Sequence, residues 1–365
     1  MTVSQKYRAV VLIDRDGTLI EEKHYLKDPE GVQLVPRAAR ALKLLEEQGI
    51  ARVICTNQSG IGRGFYTVED MNAVHERVAA DLAAEGTAWD ALYFAPVDPD
   101  ADEATAEELQ MRKPATGMAK AAIADLGLEG LPVYAIGDRV ADVMFGQNAG
   151  GTGILVRTGY GRDSEKQLAE ESLRPPIASD LYDAVRIVLN DLVKKAWPDD
   201  AVLAKKLKSP GEVHDIAERK RSVGLKVVLA NGCFDLLHGG HVSFLENARA
   251  AGDCLVLAVN SNDSIARLKG KGRPLLDEPS RLQLLAAVDA VDYLTVFYTD
   301  TADEVLEDVH PDIHAKGTDY TSENVPERIT SKRLGIQTVI AGAPKENSTR
   351  DIIEVIAERA KAGTL

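Results

Sequence analysis

Short apolar runs alternate with stretches of helical periodicity, and the alternation occurs twice along the chain. In the first half the runs are Ala9–Ile13, Ala51–Thr56, Ala91–Ala95, Val133–Ile136 and Gly153–Val156. Helical patterns separate or close them at Pro36–Gln48, Val68–Glu85, Gly117–Leu126 and Leu181–Val193. From Lys226 the rhythm begins again with runs at Lys226–Ala230, Cys254–Asn260, Tyr293–Phe297, Asp312–Ala315 and Gln337–Ala341. Helices are expected between them at His241–Ala251, Ser280–Val288 and Ala302–Val309, with a last one at Arg350–Ala362. Strands and helices in series pack as layers around a parallel sheet. The expected fold class is therefore α/β, with two Rossmann-like, doubly wound parallel-sheet domains in tandem. Functional side chains should lie at the C-terminal ends of strands.

The expected boundaries are 1–194 for the first domain, 195–224 for a linker with a leading helix, and 225–365 for the second domain. A chain of 365 residues, 45% of them hydrophobic, can bury two ordinary cores, since domains usually run to about 100–200 residues. The formal charge of -14 argues against a nucleic-acid or anionic-membrane partner, which needs a basic face. The three cysteines, Cys55, Cys233 and Cys254, show no CxxC spacing. They are read as free thiols in a reducing compartment. Met1–Arg8 lacks an apolar signal core and no run reaches the length of a membrane span, so a cytoplasmic protein is expected.

Asp14-Arg15-Asp16-Gly17-Thr18 follows the first strand. A carboxylate at a strand end with another two residues on suits phosphoryl transfer through an aspartyl phosphate. Asp14 would attack phosphorus, while Asp16 would protonate the leaving alkoxide and then activate water. Magnesium would neutralise the crowded anions. The Thr56 hydroxyl, at the next strand end, can hold a phosphoryl oxygen, and Lys113 can stabilise charge on nucleophile and phosphate. Asp138, after the strand Val133–Ile136, can complete a metal site of Asp14, Asp16 and Asp138, with Asp142 behind it.

Over roughly residues 7–193 these pieces resemble the haloacid-dehalogenase (HAD) phosphatase superfamily. Asp14–Thr18, Thr56-Asn57-Gln58-Ser59-Gly60-Ile61-Gly62-Arg63-Gly64 and Arg112-Lys113-Pro114 resemble, within it, the D-glycero-D-manno-heptose 1,7-bisphosphate phosphatases and the related histidinol-phosphate phosphatases. The resemblance implies that Asn57, Gln58, Arg63, Arg112 and Arg139 contact substrate, with Arg63 and Arg112 suited to a second phosphate. The heptose family commonly binds zinc through a Cys-x-His and a Cys-x-Cys. The matching positions here are Ala95, Val97, Leu109 and Met111, so no zinc is expected, and Asp98–Glu108 is read as a solvated specificity loop.

The second motif is Asn231-Gly232-Cys233-Phe234-Asp235-Leu236-Leu237-His238-Gly239-Gly240-His241. Two histidines three residues apart at a helix N-terminus add donors where free N–H groups and the helix dipole already favour phosphate. The string resembles the nucleotidyltransferase superfamily with a His-x-Gly-His signature. Val259-Asn260-Ser261, Arg267-Leu268-Lys269-Gly270, Arg273-Pro274, Arg281, Lys316-Gly317-Thr318-Asp319-Tyr320 and Ser348-Thr349-Arg350 narrow it to the adenylyltransferase domain of bifunctional ADP-heptose synthesis proteins. The resemblance implies catalytic roles for His238 and His241. It implies nucleotide contacts from Gly232, Phe234, Asp235, Asn260, Lys316, Ser348, Thr349 and Arg350, and sugar-phosphate contacts from Lys269 and Arg273.

One resemblance supplies the other's substrate, so the expected activity is dephosphorylation of heptose 1,7-bisphosphate followed by AMP transfer from ATP. The small-molecule partners are sugar phosphates and a nucleoside triphosphate, with a separate heptose 7-phosphate kinase upstream and a homodimer left open. The rivals are histidinol phosphate or another sugar phosphate in the first site with CTP and a polyol phosphate in the second, and a chain in which one half only binds.

Overall fold

The computed structural model describes residues 6–101, 104–321, 323–342 and 349–364, with the backbone alone for Arg350. The chain divides into two compact units between Val188 and Leu189.

The first unit holds a six-stranded parallel sheet of β1 (Ala9–Ile13), β2 (Ile50–Asn57), β3 (Ala91–Ala95), β4 (Val133–Gly137), β5 (Thr152–Val156) and β6 (Ile177–Ala178), in the order β3-β2-β1-β4-β5-β6. Every β1 residue is buried, because helices cover both faces of a doubly wound sheet and leave no place for a polar side chain. Strand order reverses between β1 and β4, which opens a crevice at their C-terminal ends. Ile13 pairs with Ile136 at that edge, so Asp14 and Asp138 leave the sheet side by side.

The second unit holds a five-stranded parallel sheet of β7 (Val227–Gly232), β8 (Cys254–Asn260), β9 (Tyr293–Phe297), β10 (Ile313–Gly317) and β11 (Gln337–Ala341), in the order β11-β10-β7-β8-β9. Here the order reverses between β7 and β10. The single leading helix expected within 195–224 is two helices, Ala201–Lys206 and Pro210–Arg221. Leu207 between them is extended, and Ser209 and Glu212 form a reciprocal capping box with Pro210 at the first helical position, the arrangement that starts a new helix. Leu203 and Leu207 pack into one side of the second unit's core, and Val213 and Ala217 into the other.

The stretch before Ile177 contains an unanticipated helix, Gly161–Glu170, and Asp98–Glu108 runs into a short helix, Ala106–Met111, capped by Thr105. All three cysteines are free, Cys55 and Cys254 buried and Cys233 half-buried. Among the described residues no helix is long and apolar enough to cross a membrane.

Candidate active sites

In the first unit Asp14, Asp138 and Asp142 bring one carboxylate oxygen each to within 4.8 Å of one another. Asp14 follows β1, Asp138 follows β4, and Asp142 lies in the first turn of the helix Val140–Asn148. Lys113 reaches in from the loop after Met111, its Nζ 2.5 Å from Asp14 Oδ1 and 2.6 Å from Asp142 Oδ1. Asn57 fastens that loop, donating to Lys113 O at 3.1 Å and accepting from Lys113 N at 3.0 Å.

Glycine makes the approach of Asp138 feasible. A Cβ on Gly17, whose φ is +80°, or on Gly159 would lie 2.2 Å from Asp138 Oδ2. The Tyr160 N–H donates to that oxygen at 2.7 Å. Asp138 Oδ1 is buried without a hydrogen-bond partner among the described residues.

Three carboxylates around one ammonium leave the group short of positive charge. Burial raises the Asp14 carboxyl well above its ordinary range, against the pull of Lys113 and with the push of Asp142 and Asp138. Burial likewise lifts Asp138 to about 7. For Lys113, burial favours the neutral amine, but Asp14 and Asp142 outweigh it and raise the ammonium's pKa. A compact set of hard oxygen donors with an orphaned carboxylate oxygen fits a small divalent cation such as magnesium.

Asp16 was expected as a ligand in this group, but its carboxylate lies elsewhere. Arg15 holds it at 2.8 and 2.9 Å and Gln58 Nε2 at 2.8 Å; the third grouped carboxylate is that of Asp142. Gln58, expected to contact substrate, is 2% exposed. It spends its amide on Asp16, Thr56, Arg15 and Tyr66. Thr56 is buried at the end of β2. These side chains lie along a cavity of about 520 Å³ whose outer wall includes Arg63, Arg112, Arg139, His24 and Tyr160.

Arg63 bridges Asp98 and Asp100, each at 3.0 Å. Arg139 lies 3.9 Å over the Tyr160 ring. Burial lowers the pKa of Arg112. Of the four positions that match the zinc ligands, Ala95 is in the core and Met111 packs against it, Val97 is buried and Leu109 is exposed.

In the second unit His238 caps the helix Gly239–Ala250 from extended backbone. Its ring stacks on that of His241 with centroids 3.8 Å apart, and Phe234 packs on His241 at 5.1 Å. Gly232 ends β7, where a Cβ would lie 2.9 Å from the Phe234 ring. Asp235, which the resemblance gives to the nucleotide, is 3% exposed and holds the next loop by accepting from Leu275 N at 2.6 Å and pairing with Arg273. Arg273 is thereby drawn to Asp235 in this structure. Asn260 ends β8 and donates to Ser264 Oγ at 2.9 Å, while Lys269 is exposed at the end of the helix Asn262–Lys269.

Lys316 stands one residue before the end of β10, across the switch point from β7. It is 5% exposed and contacts Glu327 at 3.0 Å and Asn231 at 3.2 Å. Burial disfavours the Glu327 carboxylate, but the Lys316 charge, together with hydrogen bonds from Ala302 N and Lys316, outweighs it and lowers the pKa. His314 Nε2 donates to Asn231 Oδ1 over 3.0 Å. Arg281 is 0% exposed and ties the ends of β7 and β8 together through Cys233 O and Asn260 O, both at 2.8 Å. Thr349 opens the last helix with its hydroxyl 3.5 Å from Leu236 O. Ser348 lies outside the described residues, as does the Arg350 side chain.

Asp142, Glu327 and Tyr66 are the members of these sites that the motifs missed or left in the background. Asp142 had a usable signal, since it stands four residues after Asp138 in the first turn of a helix. Glu327 is eleven residues from Lys316 in a stretch with no local pattern.

The two halves match two family models, "HAD-hydrolase-like" over residues 110–184 and "Cytidylyltransferase-like" over residues 229–355. The chain thus joins a HAD-like domain to a nucleotidyltransferase-like domain, in the expected order. Among curated proteins it is 43% identical over 158 residues to "Bifunctional protein HldE" of Syntrophotalea carbinolica, a match covering 43% of this chain and 32% of that protein. The matched stretch is about a third of that relative's length.

Among solved structures, a D,D-heptose 1,7-bisphosphate phosphatase from B. bronchiseptica, complexed with magnesium and phosphate, is 28% identical, with 50% of this chain and 99% of that one covered at a TM-score of 0.45. A lipopolysaccharide core biosynthesis protein from Thermoplasma volcanium is 34% identical, with 34% and 100% covered at a TM-score of 0.30.

Proposed function

We propose that the chain is a two-site enzyme of sugar-nucleotide synthesis. It removes the 7-phosphate of D-glycero-D-manno-heptose 1,7-bisphosphate and then joins heptose 1-phosphate to ATP, releasing pyrophosphate and ADP-heptose. The observation that carries the phosphatase half is the placement of Asp14 under Lys113 at the sheet's switch point, inside a cavity walled by arginines. The two family models, the bifunctional relative and the motif resemblance support the pairing with a nucleotidyltransferase; the motif resemblance carries the choice of sugar and nucleotide.

In the first step an Asp14 oxygen attacks phosphorus as the bond to the sugar oxygen breaks, and that oxygen takes a proton from Asp16. Water then attacks the aspartyl phosphate, delivers a proton to Asp16, and Asp14 is released. Lys113 holds charge on the nucleophile, and Arg63 and Arg112 orient the far phosphate. Asp14, Asp138 and Asp142 would hold magnesium, which when bound supplies positive charge beside the phosphoryl oxygens.

In the second step an oxygen of the sugar 1-phosphate attacks the α-phosphorus of ATP in line and the bond to the β-phosphate breaks. No covalent enzyme intermediate forms. His238 and His241 donate to the charge that grows as pyrophosphate leaves. Lys316 is held at the same strand ends. Heptose bisphosphate comes from a kinase reaction on heptose 7-phosphate, and the reading places the enzyme in the cytoplasm, with ATP.

The reading is tested by phosphate release from heptose bisphosphate, histidinol phosphate and other sugar phosphates, and by nucleotide consumption with ATP and CTP. It requires preference for the bisphosphate and for ATP. Preference for histidinol phosphate, or for CTP with a polyol phosphate, would establish the rival pairing.

A further inference from the structure

Behind Asp16 stands a buried chain of polar groups that takes no part in the carboxylate cluster. Arg15 is 1% exposed, among the largest side chains wholly inside the protein. One edge of its guanidinium grips both oxygens of Asp16, and Nη2 also donates to Gln58 Oε1 at 3.1 Å. On the other side Nη1 lies 3.0 Å from Nε2 of His75, which comes from the helix Val68–Ala84.

Chemistry settles the proton positions in this chain. Arginine has donors only, so His75 must turn a lone pair to it and carry its proton on Nδ1 as a neutral imidazole. Burial and the neighbouring Arg15 charge act the same way, lowering the His75 pKa to about 4. Gln58 is equally constrained. Its Oε1 faces two donors, Arg15 and the Tyr66 hydroxyl at 2.6 Å, and its Nε2 faces two acceptors, Asp16 and Thr56 Oγ1 at 2.7 Å. The orientation of the Arg15 fork is therefore set from behind by His75, and the fork sets the carboxylate of Asp16.

We propose that His75 and Arg15 form a positioning pair that fixes the Asp16 carboxyl for proton transfer to the leaving group, an inference that rests on the phosphatase reading above. Neither residue touches the reacting atoms. Arg15 and Gln58 grip the Asp16 carboxylate, which lies outside the group formed by Asp14, Asp138 and Asp142. In the cycle Asp16 gives a proton to the departing sugar oxygen and regains one from the water that breaks the Asp14–phosphorus bond. A fork in the wrong orientation would leave Asp16 to wander over rotamers that cannot reach the leaving oxygen.

A leaving-group comparison separates this role from a merely structural one. A sugar alkoxide needs the proton, whereas p-nitrophenolate leaves without it. The full chain with magnesium is assayed on heptose bisphosphate and on p-nitrophenyl phosphate, as wild type, His75→Leu, His75→Gln and Arg15→Lys. Because general acid catalysis contributes ~10²–10⁴-fold, His75→Leu should lose ~10² in kcat/KM on the sugar phosphate and no more than ~5-fold on the aryl ester. His75→Gln, which keeps an acceptor for Arg15, should restore most of the loss. Arg15→Lys keeps the charge without the fork and should show the same split, which covers a His75→Leu that does not fold. Equal losses on both esters, or none on the sugar phosphate, would overturn the positioning role while leaving the phosphatase reading intact. A wild-type protein that hydrolyses neither ester overturns both.

Discussion

Lys113 Nζ lies 2.5 Å from Asp14 Oδ1, and both side chains are nearly enclosed. The same nitrogen serves Asp142, so one ammonium holds two of the three clustered carboxylates. That sharing explains how a nucleophilic carboxylate can be kept ready in a buried pocket, where charges of one sign repel strongly.

Lys113→Met should therefore cut phosphate release by ~10²–10³, the usual loss when one preorganised charge partner is removed. Nucleotidyl transfer should be unchanged. Steady-state phosphate release checks this, and a variant within a few-fold of wild type would remove Lys113 from the mechanism. Asp14→Asn should abolish phosphate release, since an amide cannot form the aspartyl phosphate, while transfer to preformed heptose 1-phosphate persists.

Magnesium alone, without nucleotide, should raise the melting temperature of the full chain. A ligand at ~100 times its Kd stabilises the folded state by about 2.7 kcal/mol. Asp138→Asn removes a carboxylate from the cluster and should lose most of that shift. A shift of wild-type size in the variant would place the metal elsewhere. Metal analysis of the purified protein should find no stoichiometric zinc, given Ala95, Val97, Leu109 and Met111 at the matching positions; one tightly held zinc per chain would contradict this.

Strand identity was legible where an unbroken apolar run carried it. Ala9–Ile13, Ala91–Ala95, Cys254–Asn260, Tyr293–Phe297 and Gln337–Ala341 form strands with those bounds. The two-residue β6 after Pro175-Pro176 is too short to show a period, and the helix Gly161–Glu170 buries only Gly161, Ser164 and Leu168 among charged neighbours. The break between Ala201–Lys206 and Pro210–Arg221 was written in Ser209, Pro210 and Glu212 and was missed. In the sites, local strings after strands gave Asp14, Asp138, His238 and His241, and the string before the helix Gly117–Leu126 gave Lys113. What they hid was the wiring between distant segments, such as Arg15 to His75 and Lys316 to Glu327, since a partner supplied by the fold leaves no spacing to read.

His238 and His241 act on one phosphate chain if the transfer reading holds. His241→Ala should slow nucleotidyl transfer by ~10²–10³ while leaving phosphate release alone, and His238→Ala should behave alike. Assays of both activities on each variant decide it. Transfer that survives both substitutions would end the assignment.

Acid should weaken the fold in part through His314. It is fully buried, and burial with the nearby Lys316 lowers its pKa from the usual 6.5 to about 4. Its folded pKa lies below its unfolded one, so between pH 6.5 and 4 the unfolded chain takes up a proton that the folded chain refuses. Stability from this group is full above pH 6.5 and falls with pH across that window, by about 1.4 kcal/mol per pH unit. Urea unfolding at pH 7 and pH 5 should show about 2 kcal/mol less of this acid loss in His314→Gln than in wild type. Equal acid losses in the two proteins would show that His314 does not titrate as described.

A one-pot reaction tests the two linked activities most directly. The pure chain is incubated with D-glycero-D-manno-heptose 1,7-bisphosphate, ATP and magnesium, and the products are identified by mass. The predicted result is ADP-heptose with one inorganic phosphate and one pyrophosphate for each sugar consumed, and heptose 1-phosphate with one inorganic phosphate and no pyrophosphate when ATP is omitted. Release of phosphate with no sugar nucleotide, or no turnover of the bisphosphate at all, would contradict it.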